Sequence, residues 1–390
     1  GDLYRPLLEE GVEGFWNDMN EPSLFYTEEG LRESYQRMEE QRKRPGDYEG
    51  MWALGASFSG MASRLKDYRS FYHRTERGRV RHDQVHNLYG ANMTRATAEG
   101  IRRFQPDRRY LLFSRSSFIG AHRYGGIWQG DNYSWWEHIR LAMQMMPGLN
   151  MCGFLFNGCD LGGFAKNTTG DLLARFLQLG VFTPLMRNHS ALHTREQEIY
   201  RFESWERMRD TLTVRYALLP FLYSEFVKAA LRDEMYFRPL AFDYPQDPRA
   251  VRVEDQLMLG GECMIAPVYE PNAAGRYVYL PEDMLMIRFR SGTDYDLQPM
   301  KKGDHYVPLD LFEFPLFVRK NHLVLLSGGG RNTDEIDDTA FTALGWMETD
   351  AEYELYRDDG ISADISLEGR LTRIRAAGGE NSFRREIRCP

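Results

Sequence analysis

Five short apolar runs punctuate the first half of the chain, at residues 12–16, 110–114, 126–129, 152–157 and 181–186, each with the length and composition of a buried strand. Between most of them apolar positions recur at helical spacing, over 88–104, 134–146 and 169–179. Asn132, Ser134, Thr168 and Thr169 offer N-cap side chains, while Pro106 and Pro147 stand where helices should stop. Strand alternating with helix at this spacing predicts a parallel sheet. Apolar periodicity over 205–231 predicts one or two closing helices. After about Pro239 the texture changes, and short strand-like runs at 264–268, 276–280, 305–309 and 322–326 alternate with Gly, Pro and Asp turns. Residues 22–80 have weak periodicity and many charges, and read as an insertion packed over one end of the sheet. Boundaries are expected near 236 and at Ser327-Gly328-Gly329-Gly330, a run read as flexible.

The residues just past each strand are more informative than the strands themselves. The first strand ends in Asp18, the second in Arg115, the third in Asp131, the fourth in Asp160 and the fifth in Arg187-Asn188-His189. In a (β/α)8 barrel every strand runs the same way, so residues beyond the C-terminal ends converge on one face, where catalytic sites are built. The expected fold is therefore α/β: the C-terminal portion of a (β/α)8 TIM barrel over 1–235, carrying the insertion 22–80. A β-sandwich-like C-terminal domain over 236–326 and a partial second one over 327–390 come after it. Such a set of groups fits cleavage of a glycosidic bond, which needs two carboxyl groups flanking the anomeric carbon. One must be ionised and the other protonated, so their surroundings must split their proton affinities. Asp18 is expected to be held ionised by neighbouring donors, Arg115 foremost. Asp131 is expected to be held protonated by partial burial beside Trp128 and by the charge of Asp18. Asp160, Arg187 and His189 would bind sugar hydroxyls, and Trp16, Trp128 and Phe164 would face the C–H side of a ring.

The segments GFWNDMNEP (14–22), FSRSSF (113–118), GGIWQGDN (125–132), GCDLGGF (158–164) and TPLMRNHS (183–190), in this order and spacing, resemble glycoside hydrolase family 31, its α-glucosidase branch in particular. The resemblance runs from residue 1 to about 320 and thins beyond. It implies that Asp18 is the nucleophile at the end of barrel strand four and Asp131 the general acid/base at the end of strand six. It also implies that Trp16, Met19, Arg115, Trp128, Asp160, Phe164 and His189 line the subsite for the non-reducing glucose. Net retention through a covalent glycosyl-aspartate would place the two carboxyls ~5–5.5 Å apart. The family's α-xylosidases resemble one another in a Lys-Thr-Asp-Phe-Gly-Glu nucleophile segment that this sequence lacks, which favours glucose. The expected substrate is a small oligosaccharide of maltose or isomaltose type. A transglucosylase of the same family and a catalytically silent carbohydrate-binding remnant are the alternatives. The family's N-terminal β-sandwich and first three barrel strands have no counterpart here, and the chain opens at Gly1-Asp2-Leu3 without methionine. It reads as a piece of a longer chain, expected to be poorly folded or inactive alone.

Composition narrows the remaining classes. Among 390 residues, 49 basic against 57 acidic side chains leave a net charge of −8, spread along the chain, which argues against nucleic-acid and anionic-membrane partners. No apolar run reaches the length of a membrane span. Four cysteines without a Cys-x-x-Cys pair argue against a disulfide scaffold or zinc ribbon and favour a reducing compartment. Aromatic residues make up 13%, consistent with the flat apolar faces sugar sites need. His82-Asp83-Gln84-Val85-His86 resembles the zincin HExxH helix, but Asp83 stands in the position of the general-base glutamate and no third ligand is evident. No metal or cofactor is expected, and nucleophile-elbow, P-loop and dinucleotide fingerprints are missing. Sequons at Asn92, Asn132, Asn167 and Asn188 are read as accidental, because two fall inside the motifs.

Overall fold

The computed structural model describes residues 2–44, 46, 48–59, 61–62, 64–380 and 382–389. The chain divides into two compact units, one up to Ile127 and one from Trp128 onward. In the first, strands Gly14–Asn17, Leu111–Ser114 and Gly126–Ile127 form a parallel sheet in that order. Helix Tyr89–Phe104 makes the crossover between the first two, its Ala98 and Ile101 fully buried. Three strand ends predicted from apolar runs thus fall within a few residues of those observed.

The charged stretch 22–80 holds more regular structure than its weak periodicity suggested. Helix Glu28–Gln41 is capped by Thr27, whose hydroxyl oxygen accepts from the Gly30 amide at 3.0 Å and donates to Asp67 at 2.7 Å. Asp67 is fully buried, and a Cβ on Gly30 would lie 2.7 Å from its carboxylate, so only glycine fits there. The rings of Phe25, Tyr68, Phe71 and His82 pack together beneath the hairpin Tyr72–Thr75 and Gly78–Arg81.

In the second unit the predicted strands at 152–157 and 181–186 are not strands. The regular ladder is the parallel pair Asp160–Leu161 and Arg187–Asn188, with single bonds from Gln129 N–H to Gly158 and from Leu185 N–H to Asn157 on either side. Apolar content marked burial, while hydrogen bonding begins only at the polar ends of the runs. Helices Glu137–Met151, Gly170–Gly180 and Trp205–Leu231 surround this pair. Pro147 does not end its helix. It lies buried inside it, forgoing one backbone bond, and the helix runs on to Met151. Thr169 occupies the N-cap position of Gly170–Gly180, but its hydroxyl donates to Asp171 rather than receiving a helix amide.

Beyond residue 236 lies a six-stranded sheet in the order Tyr295–Met300, Met284–Phe289, Phe314–Arg319, Cys263–Ile265, Leu257–Leu259 and Phe237–Pro239, antiparallel throughout. The ribbon Gly275–Leu280 with Gly303–Pro308 packs beside it. A final group joins Val324–Leu326, Ala340–Leu344 and Arg384–Arg388, next to the pair Ala351–Tyr356 and Leu371–Ala376. One apolar core runs through the barrel helices, the large sheet and this last group.

Candidate active site

Each unit brings part of the expected constellation together. In the first, the three parallel strands end level with one another, and the Arg115 amide donates to Asn17 O at 2.9 Å across the strand ends. Asp18 comes immediately after. Its Oδ1 accepts from the Met19 amide at 2.7 Å, and Met19 sits at φ 55°, a left-handed conformation that costs a non-glycine residue of order 1 kcal/mol. Such strain is retained where the backbone is fixed by its surroundings. Here Asn20 fixes it, buried, donating to Ser114 Oγ at 2.8 Å and accepting the Ser116 amide at 3.0 Å. Trp16 stacks on Phe113 with ring centroids 6.2 Å apart and keeps 39% of its surface exposed, a flat apolar face beside the carboxylate. Met19 is exposed as well.

Arg115 departs from its expected role. Its Nε lies 3.3 Å from Asp18 Oδ1, but its guanidinium fork is bidentate on Glu21, at 2.7 and 3.0 Å. Planar fork-to-carboxylate geometry is the stronger of the two arrangements, so Glu21 is the principal partner and Asp18 receives a secondary share of the charge. Glu21 lies inside the segment 14–22, yet the sequence reading assigns it no role. The signal for it is an acid three residues after Asp18, facing an arginine at the next strand end.

In the second unit Asp160 is buried and pairs with Arg187 at 2.5 Å, and the Arg187 guanidinium lies over the Trp128 ring, 5.3 Å from its centroid. Phe164 and His189 stack at 5.4 Å and 27°. These five predicted residues thus make two contacts, Trp128 with Arg187 and Asp160 in one and Phe164 with His189 in the other, both at the paired strand ends Asp160–Leu161 and Arg187–Asn188. Burial pushes the neighbouring Cys159 thiol up to about 12, leaving it a packing residue.

Asp131 differs from expectation in one respect: its side chain is exposed, not partly buried beside Trp128. Gly130 at φ 80° turns the chain between them, sending Trp128 inward and Asp131 outward. The next residue anchors this turn. Asn132 donates to Asp160 O and accepts the Phe164 amide, both at 2.9 Å. Gly163 makes the approach feasible, since a Cβ there would meet the Ser134 amide at 2.3 Å. Asn188 is engaged in the same way with Gln197. The sequon amides of Asn132 and Asn188 are therefore structural groups. The sequence gives Asn132 no anchoring role, reading it as a helix cap and an accidental sequon, and does not single out Gln197, because buried amides in loops leave no periodic signal.

The zincin-like histidines are used internally. His82 is buried, hydrogen-bonded to His73 at 2.8 Å and to His86 at 3.1 Å, and Asp83 pairs with Arg69 and Arg81. Among the described residues no cluster of three or more His, Cys, Asp or Glu is arranged to hold a metal ion.

Two family profiles match the chain, the Glycosyl hydrolases family 31 TIM-barrel domain over residues 1–225 and the Glycosyl hydrolase family 31 C-terminal domain over 233–324. Alpha-glucosidase 2 of Bacillus thermoamyloliquefaciens is 32% identical over 391 residues, covering 98% of this chain and 44% of its own length. Mouse neutral alpha-glucosidase AB is 33% identical over 356 residues, covering 88% of this chain and 33% of its own. The chain thus spans less than half the length of these relatives. A Flavobacterium johnsoniae family 31 dextranase solved with glucose superposes with a TM-score of 0.74 at 24% identity, over 97% of this chain and 43% of that one. The strand-end carboxylates, the two matched domains and the relatives agree: the chain belongs to glycoside hydrolase family 31, a TIM-barrel domain followed by the family's C-terminal domain.

Proposed function

We propose that this chain carries the catalytic carboxylates of a retaining α-glucosidase that removes terminal non-reducing α-linked glucose from small oligosaccharides. The observation that carries the reading is the patch of Asp160, Arg187, Trp128, Phe164 and His189. Its half-buried Arg187, His189 and Phe164 supply a guanidinium and an imidazole for sugar hydroxyls and an apolar face for the C–H surface, backed by the buried Asp160 and Trp128. Asp18, at the end of a parallel strand with the Met19 amide and Arg115 against it, is the nucleophile in this reading. Its carboxylate attacks the anomeric carbon while Asp131 gives a proton to the departing oxygen. Water then attacks the glycosyl-aspartate as Asp131 takes the proton back, so the α configuration is retained. The exposure of Asp131 suits a group that must meet leaving oxygen and water in turn.

The α-glucosidase names of both relatives support glucose as the sugar bound. Proton NMR of maltose and isomaltose during incubation with the enzyme tests the proposal. An early excess of α-glucose over the anomer mixture released from the reducing end, lost by a factor of at least ~10³ in Asp18→Asn, is expected. An early excess of β-glucose over the anomer mixture released from the reducing end, or undiminished turnover by Asp18→Asn, would refute it. Predominant glucosyl transfer to a second sugar would assign the same chemistry to a transglucosylase.

A further inference from the structure

We infer that Gln197 is a positioning residue for the sugar-binding patch, an inference that rests on the α-glucosidase reading. The patch stands on two strand ends, Asp160–Leu161 and Arg187–Asn188, joined by a ladder only two residues long. A two-residue parallel ladder does not by itself fix register or the orientation of the side chains beyond it. Gln197, from the loop after the second strand, supplies the missing connection. It is 4% exposed, and its Nε2 lies 2.9 Å from Asn188 Oδ1, 2.9 Å from His189 O and 3.1 Å from Leu161 O. Its own backbone carbonyl accepts from Asn188 Nδ2 at 2.7 Å.

Three acceptors surround one end of the amide, which fixes that end as the nitrogen. The other end, Oε1, has no hydrogen-bond partner among the described residues. A buried acceptor left in that condition is costly, and its retention here goes with the three contacts the nitrogen makes. Gly162 gives an independent sign of the same arrangement. It lies at φ 88°, and a Cβ added to it would come within 3.0 Å of Gln197 Nε2, so the chain is kept bare where the amide approaches. Gln197 therefore clamps the residue after Asp160 to the two residues after Arg187. The Asp160–Arg187 pair and the Phe164–His189 stack both hang from the segments it joins.

The functional consequence falls on ground-state sugar binding, because Gln197 touches no reacting group and orients residues that hold the ring. The test is Michaelis–Menten kinetics on maltose with the intact enzyme. It compares wild type, Gln197→Met, Gln197→Glu, His189→Ala and the double variant Gln197→Met/His189→Ala, with thermal melts of each. Methionine keeps volume and loses the amide, while glutamate sets a carboxylate against three oxygens. Both are expected to raise KM at least tenfold with kcat changed by less than threefold. The double variant should raise KM by less than the product of the two single effects, since one of the residues through which Gln197 acts is already gone. A purely structural role would lower the amount of active enzyme and hence kcat, leaving KM at its wild-type value, and would overturn the proposal. Additive effects in the double variant would overturn it as well. Asn188→Ala removes the reciprocal pair from the other side and gives the same reading should a Gln197 variant fail to fold. If His189→Ala itself leaves KM unchanged, the sugar-binding reading of the patch falls, and the proposal with it.

Discussion

Glu21 and Asp18 share one guanidinium, and the sharing is unequal: Arg115 is bidentate on Glu21 and reaches Asp18 only through Nε at 3.3 Å. A nucleophilic carboxylate needs to be ionised yet not so tightly paired that it cannot attack. A competing carboxylate that draws the cation aside meets both conditions. Glu21→Gln keeps the shape and removes the charge, so Arg115 should turn its fork onto Asp18. We expect kcat/KM on maltose to fall about 10²-fold, the scale of a misplaced reacting group, with the fold intact by circular dichroism. Activity within a factor of three of wild type would show that Glu21 serves packing alone. At this scale the sequence places the charged residues at the strand ends, where Asp160, Arg187 and Trp128 make one contact and Phe164 and His189 another. The amides and the shared partners escaped it. Asn132 and Gln197 act through hydrogen bonds to backbone atoms far along the chain, and no spacing rule encodes those.

Among the elements, the insertion shows how apolar periodicity understates structure. Its hairpin is held to the segment after Asp18 by rings, with His82 stacked on Phe25 at 4.4 Å and hydrogen-bonded through both nitrogens to His73 and His86. A neutral imidazole between two others donates to one and accepts from the other. Burial, and next the neighbouring His73 and His86, lower the proton affinity of His82 below that of a free histidine. Above the ordinary histidine pKa of about 6.5 both folded and unfolded chains leave His82 neutral. As pH falls through that value the unfolded chain takes a proton that the folded one refuses, so stability drops, with a slope no steeper than about 1.4 kcal/mol per pH unit for one group. Urea midpoints tracked from pH 7.5 to 5.5 by fluorescence should decline in wild type and decline less in His82→Phe. Parallel declines in the two would place the acid sensitivity elsewhere. Legibility also differs from strand to strand. Runs 12–16 and 110–114 come close to the observed strands because their neighbours complete a ladder. Runs 152–157 and 181–186 are equally apolar, yet they pack without one.

On the scale of the whole second unit, the decisive element is helix Trp205–Leu231, which faces barrel residues on one side and the last group of strands on the other. The Gly-rich run at 327–330 reads in the sequence as a flexible connection, which would make residues beyond it separable. The contacts argue otherwise. The Ser327 amide donates to Ala217 O at 2.9 Å, anchoring the start of the run to the helix. Farther on, the Tyr353 ring packs 5.4 Å from Phe221, and its hydroxyl donates to Glu225 at 2.9 Å. Glu225 is itself buried with Lys228 at 2.5 Å, and the Tyr356 amide donates to Ser224 Oγ at 3.0 Å. Removing residues 327–390 would uncover Leu218, Phe221, Leu222, Val324 and Leu325, all buried now. At roughly 1.5–3 kcal/mol for each large apolar side chain returned to water, the loss is on the order of 10 kcal/mol. A domain's whole stability is about 5–15 kcal/mol, and the truncation also strips a hydrogen bond from a buried carboxylate. A chain ending at Leu326 is therefore expected to be insoluble, or to bind a hydrophobic dye without a cooperative melt, whereas Ser327→Ala in the longer chain, which loses the bond its hydroxyl donates to Ala217 O at 3.2 Å, should cost only about 1 kcal/mol. A soluble truncated chain melting within a few degrees of the longer one would restore the reading of 327–330 as a hinge between independent domains. The opposite result would make the final strands part of the scaffold that holds the barrel helices against Asp160 and Arg187.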